Sequence, residues 1–237
     1  MCGRFALTIS PAVLARFFEL SDIPGKIEPR YNIAPGQSIL AVVDKADQAG
    51  REWRSFQWGL IPSWVKGSVH LHRMINARSE TVTEKPAFRQ AFQKRRCLIP
   101  ADGFYEWQKL VGKKQPYFVH LLDQSPLALA GLWESRIDPA GTIIDTCAIL
   151  TTAGNELMRP IHDRMPVIIS PADYQRWLDV QNRSEEVIEG LLRPYSSEKM
   201  AAHPVSTFVN NIKNDDSSCL DPIELPCPPE NGLFQGS

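Results

Sequence analysis

The first five residues, Met1-Cys2-Gly3-Arg4-Phe5, hold the most reactive arrangement in the chain. Initiator methionine is removed when the next residue is small, so the mature chain is expected to begin with a cysteine bearing a free α-amine and a thiol. An α-amine titrates near about 7.7–8.0 and a thiol near about 8.5, so each is partly nucleophilic at neutral pH. A 1,2-aminothiol that meets an aldehyde forms a Schiff base through nitrogen. The neighbouring sulfur then closes a five-membered thiazolidine and locks a reversible adduct. Only an N-terminal cysteine can do this. A cysteine at position 2 can equally be a small buried residue opening a strand, so the reading depends on which other groups the chain supplies.

Several candidates follow. If Gly103–Gln108 is a strand, Tyr105 and Trp107 share one face while Glu106 shares the other with Phe104 and Gln108. A carboxylate among aromatics is desolvated, which suits it to move protons near neutrality; on a half-exposed strand it would simply be solvated. His162 and Arg164 lie between Pro160 and Pro166, which restrain them on a rigid loop; histidine is the usual acid or base near physiological pH. Asn76 and Arg78, two apart, project from one face of an extended chain. Asn32 and Pro35 belong to a Pro/Gly-rich segment, 24–36, that reads as an ordered loop because Tyr31 and Ile33 need burial. Trp64 sits in a Gly/Pro turn, either as a lid on the core or as a platform for a nucleobase.

The elements that must position these groups are mostly strands. Runs at Ser38–Asp44 and Arg51–Gly59 predict a hairpin, and Tyr117–Leu122, Leu127–Trp133 and Ile143–Thr151 predict further antiparallel strands. Ser10-Pro11 ahead of Val13, Leu14, Phe17 and Phe18 predicts a helix over 11–20, and Pro86–Lys94 a second. A short helix is expected from Asn155, others over 170–178 and 184–192, and a last strand over 205–209. Residues 215–229 read as an extended tail. Residues 230–237 resemble the remnant of a viral-protease tag site and are set aside.

With 237 residues, 43% of them hydrophobic, and no 18-residue apolar run, the chain is expected to be a soluble single domain with no membrane segment. No leader is visible, which points to the cytoplasm. Its five cysteines are widely spaced without a Cys-x-x-Cys pair, against a disulfide framework or a structural zinc. His70 and His72 alternate as strand residues would, but have no Cys pair nearby, so no metal or cofactor is expected. Net charge is −1, yet residues 1–120 hold 18 Lys+Arg against 10 Asp+Glu, net +8, and residues 121–237 hold 8 against 17, net −9. That asymmetry suggests a basic face, densest over Lys85–Lys114.

Taken together, these residues resemble the SRAP family, the SOS-response-associated peptidase-like proteins that cross-link themselves to abasic sites in single-stranded DNA. The resemblance spans most of residues 2–214. It rests on six motifs in order: Cys2-Gly3-Arg4-Phe5, Tyr31-Asn32-Ile33-Ala34-Pro35-Gly36, Trp58-Gly59-Leu60-Ile61-Pro62, Ile75-Asn76-Ala77-Arg78-Ser79-Glu80, Phe104-Tyr105-Glu106-Trp107 and His162-Asp163-Arg164-Met165-Pro166. It implies an α+β fold over 1–214, mostly antiparallel strands curled into a barrel-like core with peripheral short helices. It implies that Cys2 captures the abasic aldehyde, that Glu106 and His162 transfer protons and that Asn76 orients the opened sugar. Arg4, Arg78 and Arg164 would hold phosphates, with Asn32, Pro35 and Trp64 at the DNA. The implied partner is single-stranded DNA containing abasic sites, bound by a monomer and used at the nucleoid; self-removal of Met1 and lyase-type cleavage are further implied activities. The rival reading is an N-terminal-nucleophile or thiol hydrolase, such as a glutamine amidotransferase, which also begins Met-Cys-Gly. No His-Asn-Gly stretch or other amide-pocket pattern supports it.

Overall fold

The computed structural model describes residues 2–21, 27–45, 50–65, 73–138, 141–181 and 188–225. The strands are β1 (Phe5–Leu7), β2 (Arg30–Ile33), β3 (Ser38–Asp44), β4 (Arg51–Trp58), β5 (Asn76–Arg78), β6 (Arg96–Ala101), β7 (Gly103–Leu110), β8 (Lys113–Leu121), β9 (Leu127–Ile137), β10 (Ile143–Ala153), β11 (Arg164–Pro166) and β12 (Met200–Pro204). The helices are α1 (Pro11–Phe17), α2 (Pro86–Lys94) and α3 (Tyr174–Leu178). Pairing runs from β10 to β4, β3, β6, β9 and back to β10, closing a five-stranded barrel. A second, open sheet has the order β12-β8-β7-β1-β2. Most pairs are antiparallel, and β10 runs parallel to β4 and β5. The fold is α+β, as expected.

Burial explains the arrangement. β9 is buried without alternation from Leu127 to Leu132, the pattern of a strand covered on both faces. Its Gly131 lets the barrel close tightly, since an added Cβ would lie 2.6 Å from Cys97 Sγ. Only Asp102 separates β6 from β7, so the chain passes there directly from barrel to sheet. The two layers meet where the Phe5 ring of β1 packs 5.3 Å from the Trp58 ring of β4. Beyond the barrel, β10 continues and gains β5 on one side (Ile149↔Asn76, Thr151↔Arg78) and β11 on the other (Thr151↔Pro166, Ala153↔Arg164).

Four expectations need correction. No helix follows Asn155: residues 156–161 form turns, with Asn155 Oδ1 accepting from Met158 N at 3.0 Å and Pro160 ending any continuation. α1 stops at Phe17, because Glu19 adopts a left-handed conformation at φ 55°. The last strand is β12, ahead of the segment expected. Ser206 instead accepts from Phe208 N at 3.2 Å and caps a 3-10 turn over Thr207–Asn210. Residues 215–223 are not an extended tail. Asp215 accepts from Tyr31 N at 2.6 Å and Asn32 N at 2.9 Å, Cys219 is buried, and Val205 bridges to Pro222. Met1, His70, His72, residues 184–187 of the expected 184–192 helix and residues 226–237 lie outside the described residues; of the rest of that helix, only 188–189 are helical, followed by turns. No described helix is long and apolar enough to cross a membrane.

Candidate active site at the N-terminal cysteine

Cys2 is wholly buried just ahead of β1. Phe5 pairs with Phe104 and Tyr105 N donates to Arg4 O at 2.9 Å, so the antiparallel register carries Glu106 of β7 alongside Gly3 and Cys2. Glu106 is 2% exposed among the residues of this seam. The strand alternation expected from sequence holds: Glu106 points to the Cys2 side while Tyr105 enters a separate cluster with Ala6, Phe118 and Val205. Burial pushes the Cys2 thiol well above its ordinary range; the Glu106 charge adds to this, and the Arg4 backbone N–H pulls the other way. A thiol so placed is neutral at physiological pH.

Asn76 approaches from the barrel side. Its Nδ2 donates to Cys2 O at 2.9 Å, while its Oδ1 is buried with no donor among the described residues. A buried amide oxygen in that condition is an open acceptor beside Cys2. Trp58 holds the two approaches together. Its ring packs on Phe5, three residues after Cys2, and its Nε1 donates at 2.9 Å to Ile75 O, one residue before Asn76.

His162 stands on the loop between β10 and β11. Gln108 Nε2, on the strand that carries Glu106, donates to Pro160 O at 3.0 Å and ties that loop to β7. Gly154 allows the loop to fold back, since a Cβ there would lie 2.8 Å from His162 O. His162 Nδ1 lies 3.0 Å from Arg164 N and 2.8 Å from Asp163 Oδ1. Nδ1 accepts from the Arg164 amide.

The three arginines differ. Arg78 is exposed and makes no hydrogen bond or ion pair among the described residues. Arg164, across β10, is engaged by Glu80 through both terminal nitrogens, the second at 2.9 Å, and by Thr151 O at 2.6 Å. Arg4 donates to Asn32 Oδ1 at 2.6 Å and Val209 O at 2.8 Å, and its guanidinium lies 5.7 Å from the Trp107 ring centre. Asn32 itself is fully buried. Its Nδ2 faces Val209 O at 3.1 Å, Asn211 O at 3.1 Å and Asn214 O at 2.7 Å. Its side chain is thus enclosed, with its amide oxygen held by Arg4. Pro35 is exposed, and Trp64, 63% exposed on its turn, makes no hydrogen bond or ring contact among the described residues.

The densest basic run does not form a continuous face. Arg95 pairs with Glu134 at 2.9 Å, and Arg96 is buried and donates to the carbonyls of Phe92, Trp177 and Asp179. Burial lowers the pKa of Arg96 to about 10. Sequence reasoning missed the parts played by Trp58, Glu80 and Asp215. The first two lie inside quoted motifs, where aromatic type and charge were visible but partners were not.

Comparison with known proteins finds relatives along nearly the whole chain. A family model described as SOS response associated peptidase (SRAP) matches residues 1–212. The abasic site processing protein YoaM of Bacillus subtilis is 42% identical over 224 residues, 93% of this chain and 98% of the relative. The abasic site processing protein YedK of Escherichia coli is 31% identical over 230 residues, covering 94% and 100%. The abasic site processing protein HMCES of Gallus gallus is 34% identical, covering 97% and 80%. A crystal structure of a Bacteroides thetaiotaomicron protein superposes with a TM-score of 0.84 at 28% identity, covering 94% of this chain and all of that one. With the N-terminal motif at the seam between barrel and sheet and the match extending across nearly the whole fold, the chain belongs to the SOS response associated peptidase (SRAP) family.

Proposed function

We propose that this protein captures abasic sites in single-stranded DNA by joining them covalently to Cys2 once Met1 is removed. The observation that carries the reading is the convergence on Cys2 of Asn76, with an open amide oxygen, and the buried carboxylate of Glu106. The relatives are named for processing the same lesion.

An abasic deoxyribose equilibrates between a closed ring and an open aldehyde. Ring opening needs a proton at the ring oxygen, and His162 supplies it from the side of the loop tied to β7. The freed Cys2 amine attacks the aldehyde carbon and forms a carbinolamine. The Glu106 carboxylate carries the two amine protons in turn to the aldehyde oxygen, water departs, and a neutral Schiff base remains. The neutral Cys2 thiol then adds through sulfur to that carbon, and its proton passes to the imine nitrogen, with the Glu106 carboxylate as the relay. The net change is aldehyde plus aminothiol to thiazolidine plus one water. A thiol held protonated by burial fits this order, in which nitrogen attacks first and sulfur closes second. Asn76 Oδ1 accepts from the amine or a sugar hydroxyl and orients the opened chain.

The lesion has no base to read, so affinity rests on the backbone. Arg78 and Arg164, on the strands flanking β10, and Arg4 hold phosphates, with Pro35 and Trp64 against neighbouring bases. The test is intact-protein mass spectrometry after mixing with a single-stranded oligonucleotide containing one abasic site. The expected product lacks Met1, gains the oligonucleotide mass less one water, survives denaturant and is absent with Cys2→Ala. A protein that loses Met1 and stays uncoupled, while a small aminothiol traps the same aldehyde, would overturn the reading.

A further inference from the structure

Arg73 is a cation that none of these roles uses. It makes no hydrogen bond or ion pair among the described residues, and its Nε is buried without an acceptor. Guanidinium groups held inside a fold normally find carboxylates or carbonyls, as Arg95 and Arg96 do here. Arg73 is nonetheless closely packed. Its stem lies across Gly59, where an added Cβ would come within 3.2 Å of Arg73 Cβ and 3.5 Å of its Cδ. Its Nη1 lies 3.5 Å from where a Cβ would stand on Gly36. Both glycines have positive φ, 86° at Gly36 and 131° at Gly59, so side chains are disfavoured at each on backbone grounds as well.

The two glycines thus form a cradle that sets the guanidinium against the turn carrying exposed Pro35. That turn is rigid: Gly36 N donates to Trp58 O at 2.7 Å and Trp58 N donates to Gln37 O at 2.9 Å. The strand onward from Arg73 leads within three residues to Asn76, which holds Cys2. A planar guanidinium beside an exposed proline, with no anionic partner among the described residues, matches a pair of oxygens on a phosphate.

We propose that Arg73 is a further phosphate-binding residue, holding the backbone of single-stranded DNA where it passes the Pro35–Gly36 turn. Its Nε is shut off from solvent, so a phosphate oxygen would bind the terminal nitrogens, which are not buried and have no hydrogen-bond partner among the described residues. The inference rests on the reading that single-stranded DNA is the partner, but not on covalent capture.

The experiment measures noncovalent binding of an intact single-stranded oligonucleotide, without an abasic site, across a salt series in a Cys2→Ala background. Arg73→Gln is expected to weaken binding and reduce the slope of log K against log salt by about 0.7, one phosphate, while Arg73→Lys keeps the slope. An unchanged slope with Arg73→Gln overturns the proposal. If Arg73→Gln fails to melt cooperatively, labelling of Cys2→Ala protein with phenylglyoxal decides, read by mass spectrometry. Protection of Arg73 by the oligonucleotide supports the assignment, and equal labelling with and without it overturns it. The two readings fail separately: capture without a slope change removes Arg73 alone, and a slope change without capture removes the covalent mechanism alone.

Discussion

Arg4 and Asn32, 28 residues apart, are joined by a 2.6 Å hydrogen bond in which the guanidinium donates to the amide oxygen. The other end of the same amide faces three carbonyls of the 209–214 segment. Asn32 is therefore the link that fixes an N-terminal arginine to a C-terminal loop. Replacing Asn32 by Ala strands buried groups on both sides and is expected to cost about 2–4 kcal/mol in urea unfolding. Asn32→Asp should be no better, because a carboxylate facing three carbonyl oxygens has no proton to give. Full stability in Asn32→Asp would show that the amide donors contribute nothing.

Trp58 joins the two halves of the site, so its substitution should affect both stability and capture. Trp58→Phe keeps an aromatic ring against Phe5 but loses the Nε1 hydrogen bond to Ile75 O, which then keeps only Ile149 N. With the smaller ring leaving space, the expected loss is about 1–3 kcal/mol. The capture rate should fall more than affinity for intact single-stranded DNA, because Asn76 rather than an arginine is loosened. Equal losses in both would assign Trp58 to packing alone.

The parts of this molecule legible in the sequence are those fixed by short-range pattern. The β3–β4 hairpin and α2 lie where apolar spacing places them, and the alternation of β7 correctly separates Glu106 from Tyr105. What escaped depends on distant partners. Asn32 reads as a turn residue, yet its environment is made by residues more than 170 positions away. The Asn/Asp/Ser-rich stretch after Asn210 reads as a tail because its composition is polar, but Asp215 and Asn214 direct those polar groups inward to Arg30, Tyr31 and Asn32. Arg96 counts as surface charge in a linear tally and is instead a buried donor to three carbonyls.

Glu80 occupies the guanidinium that the DNA reading gives to phosphate. The Arg164 hydrogen bonds hold the Glu80 carboxyl below its ordinary range. Its contribution to stability is therefore present above the unfolded value of about 4.3 and is lost as pH falls through the lowered folded value. Because Glu80 is half-exposed, that contribution should stay below about 1 kcal/mol. Glu80→Gln removes the competing charge while leaving Thr151 to orient Arg164, so affinity for single-stranded DNA should rise about two- to fivefold at low salt. The melting difference between parent and variant should narrow between pH 5 and 3. Weaker DNA binding by Glu80→Gln would mean that the carboxylate orients Arg164 for phosphate instead of competing with it.

The Cys2 thiol gives the sharpest test of how Glu106 acts. Burial raises its pKa most, and the Glu106 charge adds to the effect. Iodoacetamide, which needs thiolate, should therefore alkylate Cys2 far more slowly than a free cysteine at neutral pH. Glu106→Gln removes one raising influence and leaves burial, so alkylation should speed up modestly, never reaching the free-thiol rate. Capture of an abasic oligonucleotide should move the opposite way, because glutamine can neither protonate the departing hydroxyl nor accept the thiol proton. Opposite shifts in these two rates in one variant separate an electrostatic influence on the sulfur from proton transfer. Both rates rising together would place Glu106 outside the proton path and leave it only a neighbouring charge.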